Sequence, residues 1–301
     1  MPCPYLAFAP LQGYTDAVYR RAHHACCGGI DEYYTPFVRL EHGAPRRRDL
    51  RDVAPSACAG VPTVPQVIAR DSDEFATLCD ALQKLGWLRI DLNLGCPFPL
   101  QTHAGRGSGL LQHPDRLEAI CREMTHRPEL AFSVKMRLGQ ASVDEGLAAV
   151  DILNAAPLVH VTLHPRLGRQ QYKGAPDLDA FARFYESTGH PMVYNGDLAD
   201  PAQIGILRRR FPRLKGFMLG RGLLARPSLL GGPGHDESLR LLHAEVYRHA
   251  ASTLCGDSQI LARLHSFWDY PDIDPKVRKT LLKASSLTRY REALRPLGII
   301  L

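Results

Sequence analysis

The stretch Leu88-Arg-Ile-Asp-Leu-Asn-Leu-Gly-Cys-Pro97 sets apolar side chains at 88, 90, 92 and 94 against Asp91 and Asn93. A period of two is that of a β-strand, whose successive residues point to opposite faces. The strand ends abruptly at Gly95-Cys96-Pro97. The next strand-like run, Phe132-Ser-Val-Lys-Met-Arg-Leu138, repeats the pattern and puts Ser133, Lys135 and Arg137 together. Val159-His-Val-Thr-Leu-His164 does so again with His160, Thr162 and His164, and Arg166 lies just beyond. Gln66 and Asn195 mark comparable positions in two further runs. Several strands thus direct polar groups to one side, and the most polar positions gather at their carboxyl ends.

Outward from that stretch, strand-like and helical runs alternate. Strands are expected at Tyr5–Ala9, Tyr33–Val38, Thr63–Ala69, Leu88–Leu94, Ala131–Leu138, Leu158–Leu163, Met192–Tyr194 and Gly216–Leu219, with helices at Asp73–Leu85, Pro114–Met124, Val143–Ala155, Leu178–Ser187 and Pro201–Arg210. Alternating strands and helices imply parallel sheet. This number of units favours a closed (β/α)8 TIM barrel over an open doubly wound sheet, the alternative. After Pro227 the character changes: Ser228–His235 is rich in Gly and Pro and reads as a linker, and only helical patterns follow. The expected organisation is a barrel over residues 1–235 and a small all-helical domain over 236–301.

Composition narrows the class. The 301 residues hold 45% apolar and 23% charged side chains, enough to bury a large core and unlike a disordered tail. The uncharged run Val53–Ala69 is short and broken by Pro55, Pro62 and Pro65, so no membrane span is expected. The chain enters a strand-like stretch almost at once with no basic leader, so a cytoplasmic protein is expected. Eight cysteines without a C-x-x-C pair read as free thiols, and adjacent Cys26 and Cys27 make a poor metal clip, so no metal is expected.

The polar face asks for an anion. Lys135 and Arg137 side by side beneath a barrel mouth are costly unless a negative partner meets them. Asn195-Gly-Asp197 follows the seventh strand and Gly220-Arg-Gly222 the eighth, where barrels commonly cradle phosphate. A phosphorylated cofactor whose reduced ring carries negative charge, flavin mononucleotide (FMN), fits both features.

These residues also carry a resemblance. The chain resembles the tRNA-dihydrouridine synthases through Ala9-Pro-Leu-Gln-Gly-Tyr-Thr-Asp16, Val64-Pro-Gln66, Asp91-Leu-Asn-Leu-Gly-Cys-Pro97, Gly105-x-Gly-x-x-Leu-Leu111, Val134-Lys-Met-Arg137, His164-x-Arg166 with Gln170 and Tyr172, Asn195-Gly196 and Gly220-Arg-Gly222. The resemblance implies an FMN-dependent enzyme that uses NADPH to reduce the C5–C6 double bond of uridine in tRNA. It implies Cys96 as the catalytic acid that protonates C5 while flavin N5 delivers hydride to C6. Gln66, Lys135 and His164 would contact the flavin ring system, Pro10 and Leu11 its face, and Asn195, Gly196, Asp197, Gly220 and Arg221 its phosphate end. Asn93, Arg137, Arg166, Gln170 and Tyr172 would serve the substrate. This sequence departs from the family at Leu11 (often Met), Pro165 (usually Gly), Leu167 (usually Thr) and Phe98-Pro-Leu-Gln101 (commonly holding Lys-Val).

An RNA partner explains the distribution of charge. The chain carries 37 Lys+Arg against 31 Asp+Glu. Three clusters stand out: Arg46-Arg-Arg48; Arg208-Arg-Arg210 with Arg213 and Lys215; and Lys276–Arg295, whose seven cations face Glu292 alone. The expected partner is tRNA bound by a monomer. Two alternatives stand beside it: the same chemistry on ribosomal RNA, and a small-molecule flavin barrel of the dihydroorotate dehydrogenase type, which would not need the basic tail.

Overall fold

A computed structural model describes residues 3–300. Nine short parallel strands form one sheet. In chain order they are β1 (Tyr5–Phe8), β2 (Glu32–Tyr34), β3 (Thr63–Val64 and Gln66–Val67, counted together), β4 (Arg89–Leu94), β5 (Ala131–Arg137), β6 (Leu158–His164), β7 (Met192–Tyr194) and β8 (Gly216–Leu219). The ends of the sheet are the two halves of β3. Thr63–Val64 pair with β2, Gln66–Val67 pair with β4, and Pro65 joins them. Counted as one strand, β3 closes an eight-stranded barrel, as the alternation of runs predicts.

Both faces of the strands are buried, the condition of a parallel sheet covered by helices. In β4 the apolar set Ile90, Leu92 and Leu94 meets the helices, while Asp91 and Asn93 turn into the barrel yet are also buried. The surrounding helices begin at short polar caps: Asp71 accepts from Glu74 N–H, Ser142 from Glu145 N–H and Asp200 from Ala202 N–H. The cap at Asp71 starts its helix at Ser72, one residue before the periodicity suggests. A helix the sequence pattern did not suggest, α1 (Ala17–Cys26), follows β1 and is capped by Asp16.

Beyond the barrel lie α2 (His235–Thr253), α3 (Gly256–Phe267), α4 (Pro275–Lys283) and α5 (Leu287–Leu294). The basic stretch 276–295 is not one helix, because Ala284 is extended and Ser286 caps a new one. The Gly/Pro segment before α2 is irregular but packed: a Cβ on Gly232 would lie 2.7 Å from Cys27 Cα. Trp268, His243 and Tyr290 form the centre of the helical part, with both Trp268 Nε1 (2.6 Å) and His243 Nε2 (2.7 Å) on the Tyr290 hydroxyl. Tyr14–Asp269 (2.9 Å) and Arg263–Asp16 (2.8 Å) tie this part to the loop after β1. Among the described residues no helix is long and apolar enough to cross a membrane.

Candidate active site at the barrel mouth

The carboxyl ends of the strands surround two adjoining cavities, of about 460 Å³ and about 120 Å³. Pro10, Leu11, Lys135, His164 and Tyr172 form the wall they share. The larger is bounded by the loops after β7 and β8, through Asn195, Gly196, Asp197, Gly220, Arg221 and Gly222. The smaller contains Asn93, Cys96, Pro97 and Arg137. All the cofactor candidates except Gln66 therefore line the larger cavity, and Cys96 lies next door.

Cations dominate this mouth. Lys135, Arg137, Arg166 and Arg221 all act on His164. Burial first, and then those four charges, push the His164 pKa well below the usual histidine value, so its ring is neutral at neutral pH. Arg166 approaches His164 Nε2 at 3.0 Å, and because a guanidinium has no acceptor, Nε2 must accept and Nδ1 must hold the proton. Burial lowers the Lys135 pKa to about 8, with Arg137 adding to the shift and Asp91 and Cys96 opposing it. Asp197 answers part of this charge. It holds an ion pair with Arg166 and another with Arg221, and it takes a left-handed φ of 43° to do so.

Two loops are shaped by close packing. A Cβ on Gly222 would sit 2.0 Å from the Leu198 carbonyl oxygen, so only glycine lets the loops after β7 and β8 meet. Asn195 donates to the Met218 carbonyl at 2.7 Å and locks the end of β7 to β8.

The Cys96 thiol is partly exposed, and burial raises its pKa above the ordinary thiol value against the opposing pull of Phe98 N–H, Arg137 and Lys135. It is therefore held as a thiol at neutral pH, the form a proton donor requires.

Other candidates play parts the sequence pattern does not reveal. Arg137 donates to the carbonyls of Gly95 (3.0 Å), Leu167 (3.0 Å) and Gln171 (2.6 Å), which organises the loops around Cys96. Arg166 is 1% exposed and also donates to the Gly174 carbonyl. Gln170 accepts from Leu167 N–H at 2.7 Å. Neither Arg166 nor Gln170 lines either cavity. Tyr172 is 45% exposed and stands with its ring under the Arg221 guanidinium, 4.2 Å away. Tyr270, from the helical part, completes the larger cavity and was invisible to strand periodicity. Lys215 does not belong to a surface patch. It lies at the opposite end of the barrel, on His160 Nδ1 at 3.2 Å and over the Tyr5 ring.

The dihydrouridine synthase (Dus) family model matches residues 7–261. The chain belongs to the dihydrouridine synthase family. It is 27% identical over 248 residues to a tRNA-dihydrouridine(16) synthase of Neisseria meningitidis serogroup A, covering 77% of this chain and 74% of the relative. It is 30% identical over 235 residues to one from Aquipseudomonas alcaligenes, covering 74% and 73%. Among solved structures, a variant of NCR from Zymomonas mobilis superposes with a TM-score of 0.51 at 12% identity, covering 74% of this chain and 84% of that one, a likeness of fold alone.

Of the segments that carry the family resemblance, residues 105–111 pack directly on Cys96. Gly107 adopts φ +59°, and a Cβ there would lie 2.6 Å from the Cys96 carbonyl oxygen. Ser108 donates to that same oxygen through N–H (3.1 Å) and Oγ (3.0 Å). The Gly105-x-Gly107 segment is thus a close-fitting back wall for the cysteine loop.

Proposed function

We propose that this dihydrouridine synthase reduces the C5–C6 double bond of a uridine in tRNA, with FMN in the larger cavity, NADPH as reductant and Cys96 as the proton donor to C5. The observation that carries this reading is the shared wall: Cys96 faces a small cavity that adjoins, across Lys135 and His164, a larger one rimmed by two glycine loops and Arg221. The residues present fit FMN. The larger cavity has an apolar wall at Ala9, Pro10, Leu11 and Met218, and its cations exceed its single lining acid, Asp197.

FMN bound there would supply hydride to C6. The chain's own residues do the rest. Lys135 places positive charge beside the ring, and the Nδ1–H of neutral His164 offers a hydrogen-bond donor. Cys96 retains its proton until the base is seated, and Tyr172 offers an exposed aromatic face at the entrance. The target base must leave its stack to reach this depth, since a barrel mouth cannot admit a paired, stacked uridine. The exposed cations Lys276, Lys279 and Lys283 on α4 would hold neighbouring phosphates. Because the two relatives described above are named for position 16, we assign the same position here.

The test is direct. The purified protein should carry a flavin spectrum, and after anaerobic reduction with NADPH it should reoxidise faster with unmodified tRNA than without. Mass spectrometry of the digested tRNA should then show dihydrouridine at position 16. Reoxidation unaffected by tRNA, or accelerated only by ribosomal RNA or by a small pyrimidine acid, overturns the reading.

A further inference from the structure

Inside the barrel a chain of side chains rises from buried Asp91 to Asn93 on the wall of the smaller cavity. Asp91 is 0% exposed and accepts from Ser133 Oγ at 2.6 Å and from Gln66 Nε2 at 2.7 Å. Gln66 is also 0% exposed, and its Oε1 accepts from Asn93 Nδ2 at 2.7 Å. Asn93 Oδ1 in turn accepts the backbone N–H groups of Gly95 (3.0 Å) and Cys96 (2.8 Å). The series runs without a gap from a buried acid to the backbone of the cysteine.

We propose that Asp91 is a positioning residue that fixes the Cys96 loop by anchoring two carboxamides in series beneath it. The inference rests on the reading of Cys96 as the proton donor. A carboxylate only accepts hydrogen bonds, so Gln66 must turn its NH2 toward Asp91 and its oxygen toward Asn93. Asn93 must then turn its own NH2 toward Gln66, which leaves Oδ1 facing the two N–H groups of the loop. The carboxylate can only accept and the loop N–H groups can only donate, so this one orientation of both carboxamides satisfies every link, and Asp91 is its fixed buried end. Ser133 and the Gln66 N–H···Thr35 Oγ1 bond (3.0 Å) hold the base of the series still.

The cost of the arrangement argues that it is there to specify geometry. Burial raises the Asp91 pKa to about 6, against the hydrogen bonds of Gln66 and Ser133 and the charges of Lys135 and Arg89. An apolar residue would avoid that penalty, and buried acids are poor stabilisers in themselves. Asp91 also opposes the burial penalty on Lys135, so both residues that face the proposed reaction centre are conditioned from beneath by one carboxylate.

The test reads the position of the thiol without tRNA or turnover. Purified protein is alkylated with iodoacetamide, and the rate at Cys96 is followed by peptide mass spectrometry, with exposed Cys255 as internal reference. Asp91→Asn can still present an oxygen to Gln66 and an NH2 to Ser133, so Cys96 should react within about twofold of the wild-type rate. Asp91→Leu strands the Gln66 NH2 and frees the series, and Cys96 should react about tenfold faster while Cys255 is unchanged. If Asp91→Leu fails to fold, Gln66→Met breaks the series one link further out and leaves Asp91 with Ser133; it should show the same acceleration. Wild-type Cys96 rates in both Asp91→Leu and Gln66→Met would overturn the proposal, as would acceleration in Asp91→Asn equal to that in Asp91→Leu. A protein that gives the expected alkylation pattern but lacks flavin or RNA activity would sink the functional reading and leave the positioning role intact.

Discussion

Asn93 Oδ1 accepts the backbone N–H of Cys96 at 2.8 Å, so a side chain inside the barrel sets the position of the thiol three residues later. Asn93→Ala removes that bond and the one to Gly95 together. The expected result is a fall in kcat with tRNA of about 10- to 100-fold, the scale of a small misplacement of a reacting group. Single-turnover reoxidation of the reduced enzyme measures it, and an unchanged rate would separate the asparagine from the chemistry.

Cys96→Ala should keep its flavin and lose tRNA-dependent reoxidation by about two to four orders of magnitude, the range for a missing general acid. Full turnover in this variant would remove Cys96 from the mechanism.

Lys135 gives the site a pH limit. Its pKa is lowered to about 8, so it is charged below that value and loses its charge as pH rises through it. FMN affinity should therefore weaken above about pH 8 in the wild type. In Lys135→Arg the charge persists, because a guanidinium stays protonated beyond that range, and the weakening should vanish. Fluorescence titration with FMN from pH 6 to 9.5 decides between them; identical profiles would contradict the role given to Lys135.

Asp197 neutralises an Arg166 that is 1% exposed. Asp197→Ala should cost about 1–3 kcal/mol by leaving that guanidinium without its carboxylate. The corresponding drop in Tm is about 2–6 °C. Asp197→Asn should lose less, since asparagine tolerates the left-handed backbone and keeps an acceptor. Calorimetry that ranks the two variants in the opposite order would refute this account.

The exposed face of α4 should be read in salt. Replacing Lys276, Lys279 and Lys283 with alanine should weaken tRNA binding and flatten the slope of log affinity against log salt by about 2–3. The stability of the helical part should not change, since all three side chains are exposed. An unaltered slope would place the RNA elsewhere.

The chain's own residues show where sequence suffices. Alternation in 88–94, 132–138 and 159–164 assigns strands and the inward set, because the period of two is local and strong. The order of runs then leads to a parallel barrel, and the motif residues Cys96, Lys135, His164, Asn195 and Gly220 lead to one mouth, since strand ends in this architecture share an end. What the pattern cannot supply is which polar groups face each other and which are already satisfied. Gln66 reads as a cofactor contact, and only the structure shows that its carboxamide also joins Asp91 to Asn93. Arg137 and Arg166 are expected to serve the substrate, and in the structure they donate to loop carbonyls and, for Arg166, to Asp197. Lys215 reads as part of a surface patch but enters the far end of the barrel.

The sequence by itself therefore determined the strands and the barrel and gathered the polar candidates at one end, because those follow from periodicity and chain order. Only the tertiary structure decided how they divide between lining the cavities and supporting them. That division depends on hydrogen bonds between residues tens of positions apart, and no local pattern encodes them.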